Sequence, residues 1–86
     1  MKTQWFVYII ETQKKKLYTG ITTDIERRFE EHKSQKKGAK YFKMDRPLKV
    51  VFRELHPNRS SALKREAQIK AMNKNKKIEL IKGLTV

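Results

Sequence analysis

The sequence predicts an α+β fold of order β-β-α-β-α-α, with a small three-stranded antiparallel sheet flanked by helices. Two apolar, β-branched runs near the start of the chain are joined by too short a link for a parallel crossover, so they predict a hairpin. A third such run follows a helical segment, and two more helical segments close the chain. Because 86 residues are enough for only one hydrophobic core, we expect a single domain over residues 1–86.

The predicted strands differ in how much of their surface is apolar. Residues 5–11 carry aromatic and β-branched side chains on both faces, which predicts a central strand. After a polar turn, residues 16–20 predict a second strand that ends at Gly20, where backbone freedom is useful. The third strand is predicted over residues 48–55, directly after Pro47.

Capping signals and periodicity predict three helices. Thr23 and Glu26 match a capping box, and the helix that they begin is predicted to cover residues 24–35. The second helix is predicted from Ser60 or Ser61 to about Met72, and the third over about residues 76–82. There is no internal repeat, and no linker indicates a second domain.

Charge is the strongest signal in the composition. The chain has 22 Lys and Arg against nine Asp and Glu, a formal net charge of +13, and 16 of the basic residues lie at or after Lys33. This excess favours a polyanionic partner, so we expect nucleic acid, and the charge allows DNA and RNA equally. The alternatives are an anionic membrane surface, for which the chain has no strong amphipathic anchor, and a merely soluble lysine-rich surface.

The lack of cysteine and of targeting signals in the sequence narrows the range of protein classes to which the chain can belong. The absence of cysteine excludes disulfides and thiolate metal sites. No apolar run approaches the roughly 20 residues of a membrane span, and the polar N-terminus has no small-residue cleavage site. We therefore expect a soluble cytoplasmic protein without membrane contact.

A basic segment between the first helix and the third strand is the predicted nucleic-acid contact. Helical periodicity is lost over residues 34–46, where cationic and aromatic side chains are interleaved. Cations there would bind the phosphate backbone and an aromatic ring would stack on a base. The predicted contact residues are Lys36, Lys37, Lys40, Tyr41, Lys43 and Arg46.

Two polar side chains interrupt the apolar face of the first helix. Ile25 and Phe29 define that face, and at 100° per residue Arg28 and His32 fall within roughly 60° of Ile25. Arg27 projects to the opposite side and is most simply a solvated charge. The ordinary explanations are that Arg28 extends past the core edge to water and that His32 is a hydrogen-bonded imidazole.

The second helix shows the same anomaly with a carboxylate. Ala62, Leu63 and Ile69 mark its apolar stripe, and Glu66 projects near the middle of that stripe. A buried carboxylate is costly unless it is paired, protonated or bound to a metal. The ordinary explanation is an ion pair with Lys70 four residues later.

The hairpin adds two phenols to this set. Tyr8 and Tyr18 lie on paired strands of opposite direction, so they can approach each other, although a strand tyrosine alone is usually a packed ring. Two phenols, an arginine, a histidine and an inward glutamate match the needs of phosphoryl-transfer chemistry. A single glutamate suits a hard Mg²⁺-like ion whose other ligands are waters and phosphate oxygens.

The ordered set of motifs resembles the GIY-YIG nuclease superfamily, and most of all its small, stand-alone bacterial branch of uncharacterised proteins. The resemblance covers about residues 5–82 and is carried by Val7-Tyr8-Ile9, Tyr18-Thr19-Gly20, Arg28, His32 and Glu66. Two positions depart from the motif, since Val7 stands in place of glycine and Thr19 in place of isoleucine. Val7 is compatible with a strand interior, and Thr19 should point away from Tyr18.

This resemblance implies a DNA endonuclease that uses one divalent metal, Mg²⁺ or Mn²⁺, and no small-molecule cofactor, with a role in repair or recombination. It implies Glu66 as metal ligand, Gly20 as motif backbone, and Tyr8, Tyr18, Arg28 and His32 as catalytic residues. Tyr8 would deprotonate or orient water, for which we expect the basic surroundings to lower its pKa from about 10.

Several alternatives stay open from the sequence. A downstream asparagine of some family members corresponds either to Asn73 or to Asn75. Because we expect no added targeting domain, a partner protein that directs the chain to its substrate is an open alternative. The alternative function is a nucleic-acid-binding module, for DNA or RNA, with little or no catalytic activity.

Overall fold

The computed structural model describes residues 3–34 and 44–83. The elements in these residues are β1 (Trp5–Thr12), β2 (Leu17–Thr22), α1 (Ile25–Ser34), β3 (Pro47–His56), α2 (Arg59–Lys70) and α3 (Lys74–Ile81). They form a three-stranded sheet of order β2-β1-β3 in which both pairings are antiparallel. The predicted α+β class, the β-β-α-β-α-α order and the central position of the first strand are confirmed. In the described ranges, no helix has the length and apolar character to cross a membrane.

The sheet separates two thin apolar layers, because successive side chains of β1 point to opposite faces. One layer joins β1 to α2 and α3 through the buried residues Val7, Ile9, Ala62, Ile69 and Leu80. The other layer joins β1 to α1 through the buried residues Tyr8, Ile10 and Ile25. Burial of each large aliphatic side chain contributes about 1.5–3 kcal/mol, so these few residues supply much of the driving force for folding.

Strand β2 continues two residues past its predicted end. Gly20 lies inside the strand, directly opposite Tyr8. A Cβ atom at Gly20 would lie 2.5 Å from the Tyr8 hydroxyl oxygen and 2.7 Å from the ring carbon that carries it. The expectation that Gly20 ends the strand is therefore wrong. Glycine is needed here because the Tyr8 ring approaches the backbone too closely for any side chain.

The first helix is capped by a different residue from the one predicted. The Asp24 carboxylate accepts a hydrogen bond from the Arg27 backbone N–H at 3.1 Å, and the Asp24 N–H donates to the Thr22 hydroxyl at 3.1 Å. These bonds make Asp24 the cap, and α1 begins at Ile25. The capping box built on Thr23 is therefore wrong, while the predicted end at Gln35 lies outside the described residues.

Asparagine side chains begin the other two helices. Asn58 accepts from the Ser61 N–H at 2.8 Å and begins α2, and Asn73 accepts from the Lys76 N–H at 2.9 Å and begins α3. The third helix therefore starts at Lys74, two residues before the predicted start, because Asn73 is a strong N-cap.

Candidate active site

Three aromatic rings meet on the α1 side of the sheet. Tyr8 is 2% exposed, and its hydroxyl oxygen lies 3.1 Å from Nε2 of His32. Tyr18 pairs with Ile10, so it lies diagonally across the ladder from Tyr8, and the two ring centroids are 6.4 Å apart. The Tyr18 and His32 rings meet edge to face with centroids 5.4 Å apart. The approach of the two tyrosines is therefore observed, with His32 between them.

Helix α1 brings Arg28 to the same cluster. His32 is fully buried, and Arg28, one turn earlier, is partly exposed. The Arg28 guanidinium donates to the Glu31 carboxylate at 3.1 Å, and it lies near enough to Tyr8 to lower the pKa of that phenol. Arg27 is exposed, as helix geometry predicted. Glu31 was missed by sequence reasoning, although its spacing of three residues from Arg28 is a usable signal for a helical ion pair.

His32 is held in its neutral form. Burial, and then the positive charge of Arg28, lower the pKa of His32 from 6.5 to about 4, against the opposing effect of Glu31. A neutral imidazole has one nitrogen that accepts a hydrogen bond. Since a guanidinium only donates, the consistent arrangement runs from Arg28 to the Tyr8 oxygen and from the Tyr8 O–H to Nε2 of His32.

The Tyr8 hydroxyl is a weaker acid than the sequence suggested. Burial raises the pKa of Tyr8 to about 12, and Tyr18 and Glu66 add to this shift while the hydrogen bond from Arg28 opposes it. The expectation that the basic surroundings lower the Tyr8 pKa is wrong. The desolvation of a buried phenolate outweighs the favourable effect of one partly exposed guanidinium.

Glu66 approaches the cluster from α2. This helix packs against β1 and β2, the two strands that carry the tyrosines. The Glu66 side chain is mostly buried, and its Oε2 atom lies 3.2 Å from the ammonium of Lys70, which is the helical ion pair weighed as the ordinary explanation. The Glu66 charge adds to the raised pKa of Tyr8 as the smallest of its causes, although α2 packs on the other side of the sheet from the Tyr8 ring.

The ligand chemistry at Glu66 limits which metal fits. In the described parts of the chain, no three His, Asp or Glu side chains gather into a metal-binding group. A closed zinc site needs such a group, whereas a hard divalent cation accepts one carboxylate with waters and phosphate oxygens. The residues present therefore fit Mg²⁺ or Mn²⁺ held by Glu66 together with a bound phosphate.

The two departures from the motif leave the cluster intact. Val7 is fully buried in the interior of β1 and packs in the α2 layer. Thr19 pairs with Ile9 and is 4% exposed, so its side chain lies on the face away from Tyr18. Its hydroxyl has no hydrogen-bond partner among the described residues, and the family's isoleucine would fit the same apolar surroundings.

The predicted nucleic-acid contact is only partly within the described residues. Lys36, Lys37, Lys40, Tyr41 and Lys43 lie outside them, while Arg46 is exposed. Next to it, the buried Asp45 carboxylate accepts from the Thr12 hydroxyl at 2.5 Å and from the Lys14 N–H at 2.9 Å. Burial alone would raise the pKa of Asp45, but these hydrogen bonds outweigh it and lower the pKa. Asp45 thus anchors the end of the predicted contact to the β1–β2 turn, a role that its sequence position did not reveal.

The fold and the residue cluster define a class of protein that comparison with known families identifies. The model of the GIY-YIG catalytic domain matches residues 4–79, so the chain belongs to the GIY-YIG family. A UPF0213 protein of Syntrophus aciditrophicus is 53% identical over 77 residues, which cover 90% of this chain and 88% of that protein. A UPF0213 protein of Staphylococcus aureus is 44% identical over 77 residues, covering 90% and 93%.

A solved structure shares the fold as well as the sequence. The solution NMR structure of a UPF0213 protein from Bacillus halodurans aligns with a TM-score of 0.59 at 34% identity. The alignment covers 92% of this chain and 83% of that one. The predicted membership of the GIY-YIG superfamily, in a branch of small proteins, is confirmed.

Proposed function

We propose that this protein is a metal-dependent DNA endonuclease that hydrolyses a phosphodiester bond. The observation that carries the proposal is the buried contact of 3.1 Å between the Tyr8 hydroxyl and Nε2 of His32, with the charges of Arg28 and Glu66 both acting on the same phenol. Burial and neighbouring charges shift the pKa values of Tyr8 and His32, which is typical of catalytic sites.

Tyr8 acts through a proton relay. With a pKa of about 12, the free phenolate would cost roughly 7 kcal/mol at pH 7. The relay lowers this cost, because Tyr8 passes its own proton to Nε2 of His32 while it accepts one from the attacking water, and protonating His32, with a pKa of about 4, costs roughly 4 kcal/mol at pH 7. The imidazolium then releases that proton to solvent. The water oxygen then bonds to phosphorus, the bond from phosphorus to the leaving oxygen breaks, and solvent supplies the proton for that oxygen.

The other residues of the cluster bind charge or hold geometry. Arg28 exchanges its contact with Glu31 for a non-bridging phosphate oxygen and stabilises the charge that develops there. Glu66 would hold a divalent cation, Mg²⁺ or Mn²⁺, which would supply positive charge to stabilise the charge that develops on the phosphate. Tyr18 packs on His32 and fixes its ring, and Gly20 admits the Tyr8 ring.

The wider context remains a prediction. We propose a single domain over residues 1–86 that works on DNA rather than RNA in the cytoplasm, in repair or recombination, with targeting left to a partner protein. Lys36, Lys37, Lys40, Tyr41, Lys43 and Arg46 are proposed to hold the nucleic acid.

The test is cleavage of supercoiled plasmid, single-stranded and branched DNA with Mg²⁺ or Mn²⁺, comparing Glu66→Ala with Glu79→Ala. Both glutamates lie on helices and are paired with a lysine, but Glu79 is 47% exposed and its partner Lys76 lies 3.9 Å away. We expect Glu66→Ala to lose on the order of 10²-fold or more in rate and Glu79→Ala to match the wild type. Equal cleavage by both variants, or none by the wild-type protein on any substrate, contradicts the proposal.

One observation favours the alternative of a binding module with little or no catalysis. The Glu66 carboxylate already has a cation, Lys70, and the Tyr8 pKa is raised, so the cluster rests in an unreactive state. If this alternative is right, wild-type protein and Glu66→Ala bind DNA equally well and neither cleaves it.

A further inference from the structure

A cleft of about 220 Å³ lies outside the tyrosine cluster, between the β1–β2 turn and the start of α3. Its lining is Lys16, Leu17, Lys74 and Lys77, and we refer to it as the lysine cleft. The Lys74 ammonium donates to the backbone carbonyl of Lys15 at 2.9 Å, which ties the turn to α3. The cleft is therefore held by a contact between two elements far apart in the chain.

The charges in the lysine cleft are poorly compensated. No ion pair between described residues engages Lys16, Lys74 or Lys77. Asp45 is within electrostatic range of Lys16, but its carboxylate oxygens are engaged by Thr12 and Lys14. Three lysines that line one cleft without an ion-pair partner among the described residues favour an anionic ligand there.

Two of these lysines lie where a helix end adds a further unfavourable electrostatic interaction. Lys74 and Lys77 lie in the first turn of α3, which contains no acidic residue. The N-terminal end of a helix carries partial positive charge, so cations there are disfavoured and anions are favoured. The helix end and the lysines therefore both favour an anionic ligand at the same place.

The lysine cleft lies on the α2 and α3 side of the sheet. Leu17, in its wall, packs in the α2 layer, whereas the next residue of β2, Tyr18, packs in the α1 layer. We propose that the lysine cleft binds a backbone phosphate of the DNA substrate, away from the phosphate that is cleaved. This proposal rests on the proposed function for the identity of the ligand.

The test is DNA binding in EDTA, so that it does not depend on cleavage. A fluorescent duplex is titrated with wild-type protein, with Lys74→Gln/Lys77→Gln and with the control Lys49→Gln/Lys64→Gln, at several salt concentrations. Glutamine removes the charge but keeps an N–H donor for the Lys15 carbonyl. The control lysines are exposed, and they lie on β3 and on the outer face of α2, so the change in net charge is the same.

We expect the cleft variant to raise Kd roughly tenfold at 0.1 M salt and to reduce the slope of log K against log salt by about 1, because the loss of one phosphate contact removes about 0.9. The control should retain the wild-type slope, and all three proteins should unfold at similar temperatures. Equal slopes for the two variants, or no binding by the wild type, overturn the lysine cleft as a phosphate site.

Two further outcomes separate this proposal from the proposed function. If the wild-type protein binds DNA through Lys74 and Lys77 but cleaves none, the cleft stands and the endonuclease proposal fails. If an RNA duplex of the same sequence binds more tightly than DNA, DNA is overturned as the ligand and the phosphate contact is assigned to RNA.

Discussion

Two histidines lie on opposite faces of the same sheet, and their surroundings differ in kind. His32 lies in the α1 layer between two tyrosines, close to the guanidinium of Arg28. His56 lies on the α2 side, with Nε2 at 2.7 Å from the Glu54 carboxylate and Nδ1 at 2.6 Å from the Ser61 hydroxyl. Arg65 donates to the same carboxylate at 3.0 Å. We refer to Glu54, His56, Ser61 and Arg65 as the Glu54 clamp.

Both clusters contain a histidine, an arginine and hydroxyl groups, but their pairings have opposite consequences. In the Glu54 clamp the donors converge on one carboxylate, and the clamp joins the end of β3 to the first turns of α2. In the tyrosine cluster a cation lowers the His32 pKa and burial raises the Tyr8 pKa, so both groups are disfavoured as ions. The clamp stabilises the fold, whereas the tyrosine cluster holds Tyr8 and His32 neutral with shifted pKa values, which is the pattern that a functional site shows.

The largest expected effect in the tyrosine cluster is that of Gly20→Ala. The new methyl group would lie 2.5 Å from the Tyr8 hydroxyl oxygen, so the ring must move and its hydrogen bond to His32 must break. We expect DNA cleavage to fall on the order of 10²-fold, and stability to fall by about 1–3 kcal/mol through overpacking. Chemical denaturation and single-turnover cleavage measure the two effects.

Gly83→Ala is the matched control for this substitution. Gly83 has a φ of +76°, and a Cβ there would meet no described atom within 4 Å. Backbone strain alone should cost about 1 kcal/mol and leave cleavage unchanged. If Gly20→Ala behaves like Gly83→Ala in both measurements, the close contact between Tyr8 and β2 does not position the hydroxyl.

Much of the fold was predictable because local patterns agree with the tertiary structure. The apolar faces of residues 5–11 predicted the central strand. The role of Gly20 was not predictable, because it depends on a ring from the neighbouring strand rather than on the local pattern. The choice of cap between Thr23 and Asp24 was also open, since both residue types cap helices well and a bond to Thr22 orients Asp24.

The composition of the candidate site was partly predictable from helix geometry. Spacing placed His32 and Glu66 on the inner faces of their helices, and the structure buries most of both side chains. The direction of the shift in the Tyr8 pKa was not predictable. The positive net charge suggested a lowered pKa, whereas burial raises it. The Glu54 clamp was missed because it joins a strand to residues one and two turns into a later helix.

The next largest effect is a pH dependence of stability that is specific to His32. Its folded pKa of about 4 lies below its ordinary value of 6.5, so the unfolded chain binds the proton first. The contribution of His32 to the free energy of unfolding is therefore present above pH 6.5 and is lost as the pH falls from 6.5 to 4. It amounts to about 3 kcal/mol. Denaturant unfolding at intervals from pH 7 to pH 4 measures it.

His32→Gln should flatten this part of the profile, since glutamine does not titrate and its carbonyl can accept from Tyr8. His56→Gln, on the opposite face, should leave the His32 contribution in place. Asp45 contributes at lower pH, because its pKa is lowered from 3.8, so its effect is separable from that of His32. An unchanged slope in His32→Gln would show that the imidazole is not held neutral by the cluster.

The smallest effect tests the structural role of the Glu54 clamp. Glu54→Ala removes the acceptor for His56 and leaves Arg65, whose side chain is only 13% exposed, without its carboxylate. We expect a loss of about 1–2 kcal/mol in the free energy of unfolding, a value that allows for the partial exposure of Glu54. Cleavage of DNA should be unchanged, because the hydrogen bonds of the clamp join Glu54, His56, Ser61 and Arg65 and none of them reaches Tyr8, His32 or Glu66.

Glu11→Ala is a close control, since Glu11 and Glu54 have the same side-chain exposure, 33%, but Glu11 contacts the well-exposed Lys49 at 3.8 Å. Surface pairs of this kind are worth about 0–1 kcal/mol, so its loss should be less than half that of Glu54→Ala. If Glu54→Ala instead reduced cleavage at full stability, the clamp would belong to the functional site. The Glu54 clamp and the tyrosine cluster would then differ in their hydrogen bonds and ion pairs, but both would contribute to cleavage.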